Sequence, residues 1–98
     1  MTLTSAQLRT VRSIIDSVLP GARVKVFGSR ATGRSRPFSD LDLLFFRPAR
    51  LSWRQRADLR DLFESSELPF RVDLVEAEAL PPGMVDRVVS ESVALSER

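Results

Sequence analysis

Gly28-Ser29-Arg30-Ala31-Thr32-Gly33-Arg34-Ser35-Arg36-Pro37-Phe38-Ser39-Asp40-Leu41-Asp42-Leu43 is the stretch that decides the fold. It starts where an alternating strand pattern, Arg23-Val24-Lys25-Val26-Phe27, stops at a glycine. It ends inside a second strand, Leu41 to Phe46, an apolar run broken by one charge and closed by Arg47-Pro48. The loop between them is short enough to predict antiparallel pairing of the two strands. Asp40 and Asp42, two apart, point to one face, with Cα atoms ~6.5 Å apart at the rise of a strand. Leu41, Leu43 and Phe45 belong to the other face. Ionised carboxylates beside a core repel one another and need compensation. Solvent at the strand end would supply it, as would ion pairs to Arg30, Arg34 or Arg71, or a divalent cation.

On the N-terminal side, Thr4 and Gln7 form a capping box and Leu3 and Leu8 a hydrophobic staple, which predicts a helix. Leu8, Val11, Ile14, Ile15, Val18 and Leu19 make its apolar stripe, and Pro20-Gly21 ends it. On the C-terminal side, Ser52 and Gln55 form a second capping box. They open a helix with Leu59, Leu62, Phe63 and Trp53 on its inward stripe, stopped by Leu68-Pro69. Phe70 to Glu76 reads as a third strand, with Asp73 set among Val72, Leu74 and Val75. Pro81-Pro82-Gly83 introduces a last helix with Met84, Val85, Val88 and Val89 on one side. Val93-Ala94-Leu95 fits either a continuation of that helix or a short strand. The order α-β-β-α-β-α predicts an α/β (α+β) fold, a small mixed sheet flanked by helices. The second strand is expected at its centre, and the intervening helix permits a parallel crossover to the third. Residues 1–98 are expected to form a single domain.

Composition removes whole classes of chemistry. The chain has no His and no Cys, which excludes thiolate nucleophiles, imidazole bases, disulfides and zinc or haem sites. A metal would be a hard cation on carboxylate oxygens, Mg²⁺ or Mn²⁺. The pI near 10.4 suggests nucleic acid. The charge is nevertheless only +2, from 15 basic and 13 acidic groups, and the pI is high because no His, Cys or Tyr titrates in the middle range. Nucleic acid is therefore not an expected partner. No basic leader and no apolar run of membrane-spanning length is present, so the expected location is the cytoplasm.

Three carboxylates, Asp40, Asp42 and Asp73, recur near strand ends, a pattern that suits a pair of hard cations. Gly28-Ser29 offers a close backbone approach and a hydroxyl to an anion. Neither an EF-hand nor a Walker loop is present. Gly28-Ser29, ten residues, then Asp40-Leu41-Asp42, with Asp73 in Arg71-Val72-Asp73-Leu74-Val75, resembles the minimal nucleotidyltransferases of the DNA polymerase beta superfamily. The resemblance runs from the N-terminal helix to the Pro81-Pro82 helix.

That resemblance implies Mg²⁺ (or Mn²⁺) on Asp40, Asp42 and Asp73, and a nucleoside triphosphate, ATP by preference, as substrate. Asp73 would complete the site and orient or deprotonate an attacking hydroxyl. Gly28 and Ser29 would contact the triphosphate, with Arg30 beside the leaving pyrophosphate. It also implies a small helical partner of the HEPN or substrate-binding type, in a hetero-oligomer of the toxin–antitoxin kind, with AMP passed to the partner. Trp53, Phe38 and Phe70 are the aromatic candidates for partner contact. A non-catalytic subunit that neutralises a helical partner by occlusion is the alternative. A basic nucleic-acid module is disfavoured by the carboxylates, and a drug-modifying transferase by the lack of any pattern marking a small-acceptor pocket.

Overall fold

The computed structural model describes residues 3–34 and 36–95. Its elements are α1 (Ser5–Val18), β1 (Arg23–Phe27), α2 (Ser29–Thr32), β2 (Leu41–Arg47), α3 (Trp53–Glu64), β3 (Val72–Glu76), a 3-10 turn (Ala77–Ala79), α4 (Pro82–Glu91) and β4 (Val93–Ala94). They form one four-stranded sheet in the order β3-β2-β1-β4. β1 pairs antiparallel with β2 and with β4, and β2 pairs parallel with β3. The mixed sheet, the central β2 and both pairing senses match the sequence reading.

The two capping boxes form as expected. Thr4 Oγ1 accepts from the Gln7 amide at 3.0 Å, and Gln7 returns its Oε1 to the Thr4 amide. Ser52 and Gln55 repeat the exchange at the start of α3. Each box satisfies amides that a helix N-terminus leaves without partners. The two helices then lie against one face of the sheet. Leu8, Val11 and Ile15 of α1 and Leu59 and Phe63 of α3 join Val24, Val26, Leu41, Leu43 and Phe45 in one core. The pairing of Val24 with Phe45 and of Val26 with Leu43 puts those strand residues on one face, as alternation requires. Burying a side chain of this size is worth ~1.5–3 kcal/mol, so these facing rows fix the register and send Asp42 to the opposite face. Leu44, on that opposite face, is also fully buried.

Four expectations are corrected. Trp53 is 80% exposed: it is the first residue of α3, and a helical side chain leans back over the turn before its own Cα. Leu62 is also exposed, beyond the edge of the stripe that Leu59 and Phe63 bury. The third strand starts at Val72, because Phe70 turns into the core before the ladder begins. The loop after β1 holds a helical turn, α2, bounded by Gly28 and Gly33, both at positive φ. The tail resolves as strand, with Val93 and Ala94 opposite Val26 and Lys25.

Candidate active site

Two rungs of the sheet carry the site. Phe27 stands opposite Asp42 in the β1–β2 ladder, and Asp42 opposite Asp73 in the β2–β3 ladder. The carboxylates of Asp42 and Asp73 therefore meet on the face opposite to that of Leu41, Leu43 and Phe45. Burial, the Asp73 charge, a hydrogen bond with Asp73 and the Asp40 charge push the Asp42 carboxyl up to about 6. Desolvation and like charge both disfavour the ionised form, and here they act together. A group perturbed in this way is a marker of functional sites.

Gly28 belongs to the same construction. Its backbone (φ 75, ψ −154) lies in a region that only glycine enters freely. A Cβ placed there would collide with the Asp42 carboxylate. The glycine thus serves a contact with Asp42 that sequence spacing alone did not reveal. Ser29 opens α2 directly after it, and the amides of Ala31 and Thr32 return to the Gly28 carbonyl at 3.1 and 3.2 Å.

Asp40 lies just outside β2. Its Oδ2 accepts from Arg71 Nη2 at 3.1 Å, and Arg71 Nε lies 3.6 Å from Asp73 Oδ1. One exposed guanidinium therefore bridges the two outer carboxylates; Arg71 is one of the three arginines that the sequence offered as partners for Asp40 and Asp42, and its pairing with Asp73 was not among those expectations. Among the described residues no group of three acidic side chains is gathered as a ready-made metal site. The donor set nevertheless suits a hard cation: its atoms are carboxylate oxygens, and Asp42 feels like charge from Asp73 and Asp40 that a cation would relieve. Asp40 would join them on leaving Arg71.

Arg30 is the residue that the resemblance sets beside a leaving pyrophosphate. It is buried, donates to the carbonyls of Ser39 and Pro37, and lies over the Phe70 ring. Arginine in a glycine-rich loop reads as exposed by default, so no sequence signal announced this. Phe38 and Trp53 stand in solvent and Phe70 does not. A cleft of about 760 Å³, which no sequence pattern marked, runs past Asp42 and Asp73 and is lined also by Phe70, Arg56, Arg60 and Arg71. Neither Gly28, Ser29 nor Asp40 lines it.

Residues 20–98 match the family model described as Polymerase beta, Nucleotidyltransferase, and the chain belongs to that family. Within it, the chain is 38% identical over 72 residues to the Haemophilus influenzae protein named "Probable protein adenylyltransferase MntA". That match covers 74% of this chain and 63% of the relative, so the chain spans less than two thirds of the relative's length. A solved structure assigned as a minimal nucleotidyltransferase superposes with a TM-score of 0.67 at 36% identity, covering 90% of this chain and 88% of that one. A toxin-antitoxin crystal structure with AMP-PNP shares the fold, at a TM-score of 0.69 and 21% identity, over 91% of this chain and 72% of that one. Among the described residues no helix is long and apolar enough to cross a membrane.

Proposed function

We propose that this chain moves a nucleoside monophosphate, AMP by preference, from a nucleoside triphosphate to a hydroxyl on a partner protein. The observation that carries the reading is the facing of Asp42 and Asp73 on adjacent strands, with Gly28 closed against Asp42 and Ser29 next to it. Support also comes from the adenylyltransferase name of the Haemophilus influenzae relative and from the toxin-antitoxin fold neighbour with AMP-PNP. The partner would be a small helical protein of the HEPN type.

In this reading the acceptor oxygen attacks the α-phosphorus, the bond to the β-phosphate breaks, and pyrophosphate leaves. Asp73 orients the acceptor hydroxyl and takes its proton. Gly28 lets the triphosphate approach the backbone, and the Ser29 hydroxyl donates to a phosphate oxygen. Asp40, Asp42 and Asp73 would hold Mg²⁺ or Mn²⁺, which supplies charge neutralisation to the phosphates and the leaving group. Such transfers depend on positioning and electrostatics rather than on a covalent nucleophile. A chain without His or Cys therefore lacks nothing the reaction needs.

The experiment is intact-mass spectrometry of a small helical protein of the HEPN type, mixed with this chain, Mg²⁺ and each nucleoside triphosphate in turn. A mass increase equal to one nucleoside monophosphate, absent with Asp42→Asn, is the expected result. Trp53 and Phe38, large aromatics left in solvent, favour a second reading, neutralisation of the partner by occlusion. Tight complex formation with no mass change under any nucleotide would select it.

A further inference from the structure

Arg30 is the only buried charged residue among the described residues, with 3% of its surface exposed. Removing a guanidinium from water is costly unless its donors are used. Its Nε and Nη2 both donate to the Ser39 carbonyl, at 3.0 and 2.8 Å, and Nη2 also reaches the Pro37 carbonyl at 3.1 Å. Its Cζ lies over the Phe70 ring, 4.1 Å from the centroid.

These contacts join three separate segments. Arg30 itself sits in α2, next to Ser29. Ser39 immediately precedes Asp40. Phe70 immediately precedes Arg71, the residue that bridges Asp40 and Asp73. The joint continues in the backbone, where the Leu41 amide donates to the Arg71 carbonyl at 2.8 Å. A fork of donors that also presents a flat face is what only arginine supplies; a lysine ammonium cannot hold the carbonyl and stack at the same time.

We propose that Arg30 is a positioning residue: it sets Asp40 and Asp42 against Asp73 through the Ser39 and Pro37 carbonyls and the Phe70 ring, and does not bind phosphate. The proposal rests on the carboxylate-site reading given above. Its test uses Arg30→Lys and, because it leaves the charge in place, Phe70→Leu.

Amide hydrogen exchange reads the positioning without any metal. Exchange at Leu41 should accelerate about tenfold in Arg30→Lys, while Val26 and Phe45, deep in the sheet, keep their wild-type rates. Unchanged Leu41 exchange, or equal acceleration throughout the sheet, would overturn the proposal. Mn²⁺ binding without nucleotide, followed by electron paramagnetic resonance, reads the consequence at the site. About a tenfold loss of affinity is expected in Arg30→Lys, with a smaller loss in Phe70→Leu, as for other residues that hold metal ligands in place. In transfer assays kcat should fall while the KM for the nucleotide stays within about threefold. A raised KM with unchanged Leu41 exchange and unchanged Mn²⁺ affinity would make Arg30 a phosphate ligand instead. Absence of Mn²⁺ binding by wild type, with selective acceleration at Leu41, would sink the metal-site reading and leave the positioning role standing.

Discussion

The two ends of β3 carry carboxylates in opposite circumstances. At its C-terminal end Glu76 accepts the Leu51 amide at 2.6 Å and Arg56 Nη2 at 2.7 Å. The amide, then the Arg56 hydrogen bond, hold its carboxyl below the ordinary range. At the other end Asp73 faces Asp42, and burial with neighbouring like charge pushes Asp42 up to about 6. Glu76 ties the start of α3 to the sheet, and its charge is an asset to folding. Asp42 is a liability to folding, and a protein tolerates such a group where the charge has a use in chemistry.

The largest expected effect falls at the strained end. Asp42→Asn should cut nucleotide transfer by at least about 100-fold, as loss of a group that stabilises transition-state charge does, while thermal stability without metal stays level or rises. Loss of stability on a par with the loss of activity would make Asp42 a structural residue. Gly28→Ala comes next. It forces a side chain into a positive-φ backbone at a cost of ~1–3 kcal/mol and drives against Asp42, so both melting temperature and transfer should fall. An alanine variant with wild-type activity would break the link between Gly28 and Asp42.

Glu76→Gln should show the reverse pattern, losing about 1–2 kcal/mol in denaturant unfolding through its charge-assisted bonds while retaining transfer activity at temperatures where it is folded. The pH profiles should also oppose one another. With its value raised, folded Asp42 binds a proton more tightly than the unfolded chain does. Its share of stability therefore declines as pH rises from its ordinary 3.8 through about 6. Glu76, with its value lowered, stabilises above the ordinary carboxylate range, and that contribution is lost as pH falls through its folded value. Melting curves of Asp42→Asn should lack the first slope and those of Glu76→Gln the second. Arg71→Ala should have the smallest effect, under about 1 kcal/mol, because its pairs with Asp40 and Asp73 are exposed to solvent. It should also tighten divalent-cation binding by freeing both carboxylates.

Much of the fold was legible because its signals are periodic or local. The capping boxes Thr4–Gln7 and Ser52–Gln55 announce two helices, and alternation puts Leu41, Leu43 and Phe45 on one face and Asp42 on the other. The apolar neighbours of Asp73 mark it as a second acid in a strand. What escaped depends on contacts distant in sequence or on segments too short for a period. α2 has four residues, although a serine at its start and Gly33 in the left-handed conformation at its end are the signals to look for. β4 has two residues and becomes a strand only by pairing with β1. Arg30 is buried because Ser39, Pro37 and Phe70 converge on it, and nothing in the loop sequence encodes that convergence.

Mn²⁺ binding measured by electron paramagnetic resonance on wild type, Asp42→Asn and Glu76→Gln at pH 7.5 tests the contrast between the two ends of β3 most directly. Binding by wild type and Glu76→Gln, with loss of at least about tenfold in affinity for Asp42→Asn, is the predicted result. Equal binding by wild type and Asp42→Asn, or loss of binding in Glu76→Gln alone, would contradict it.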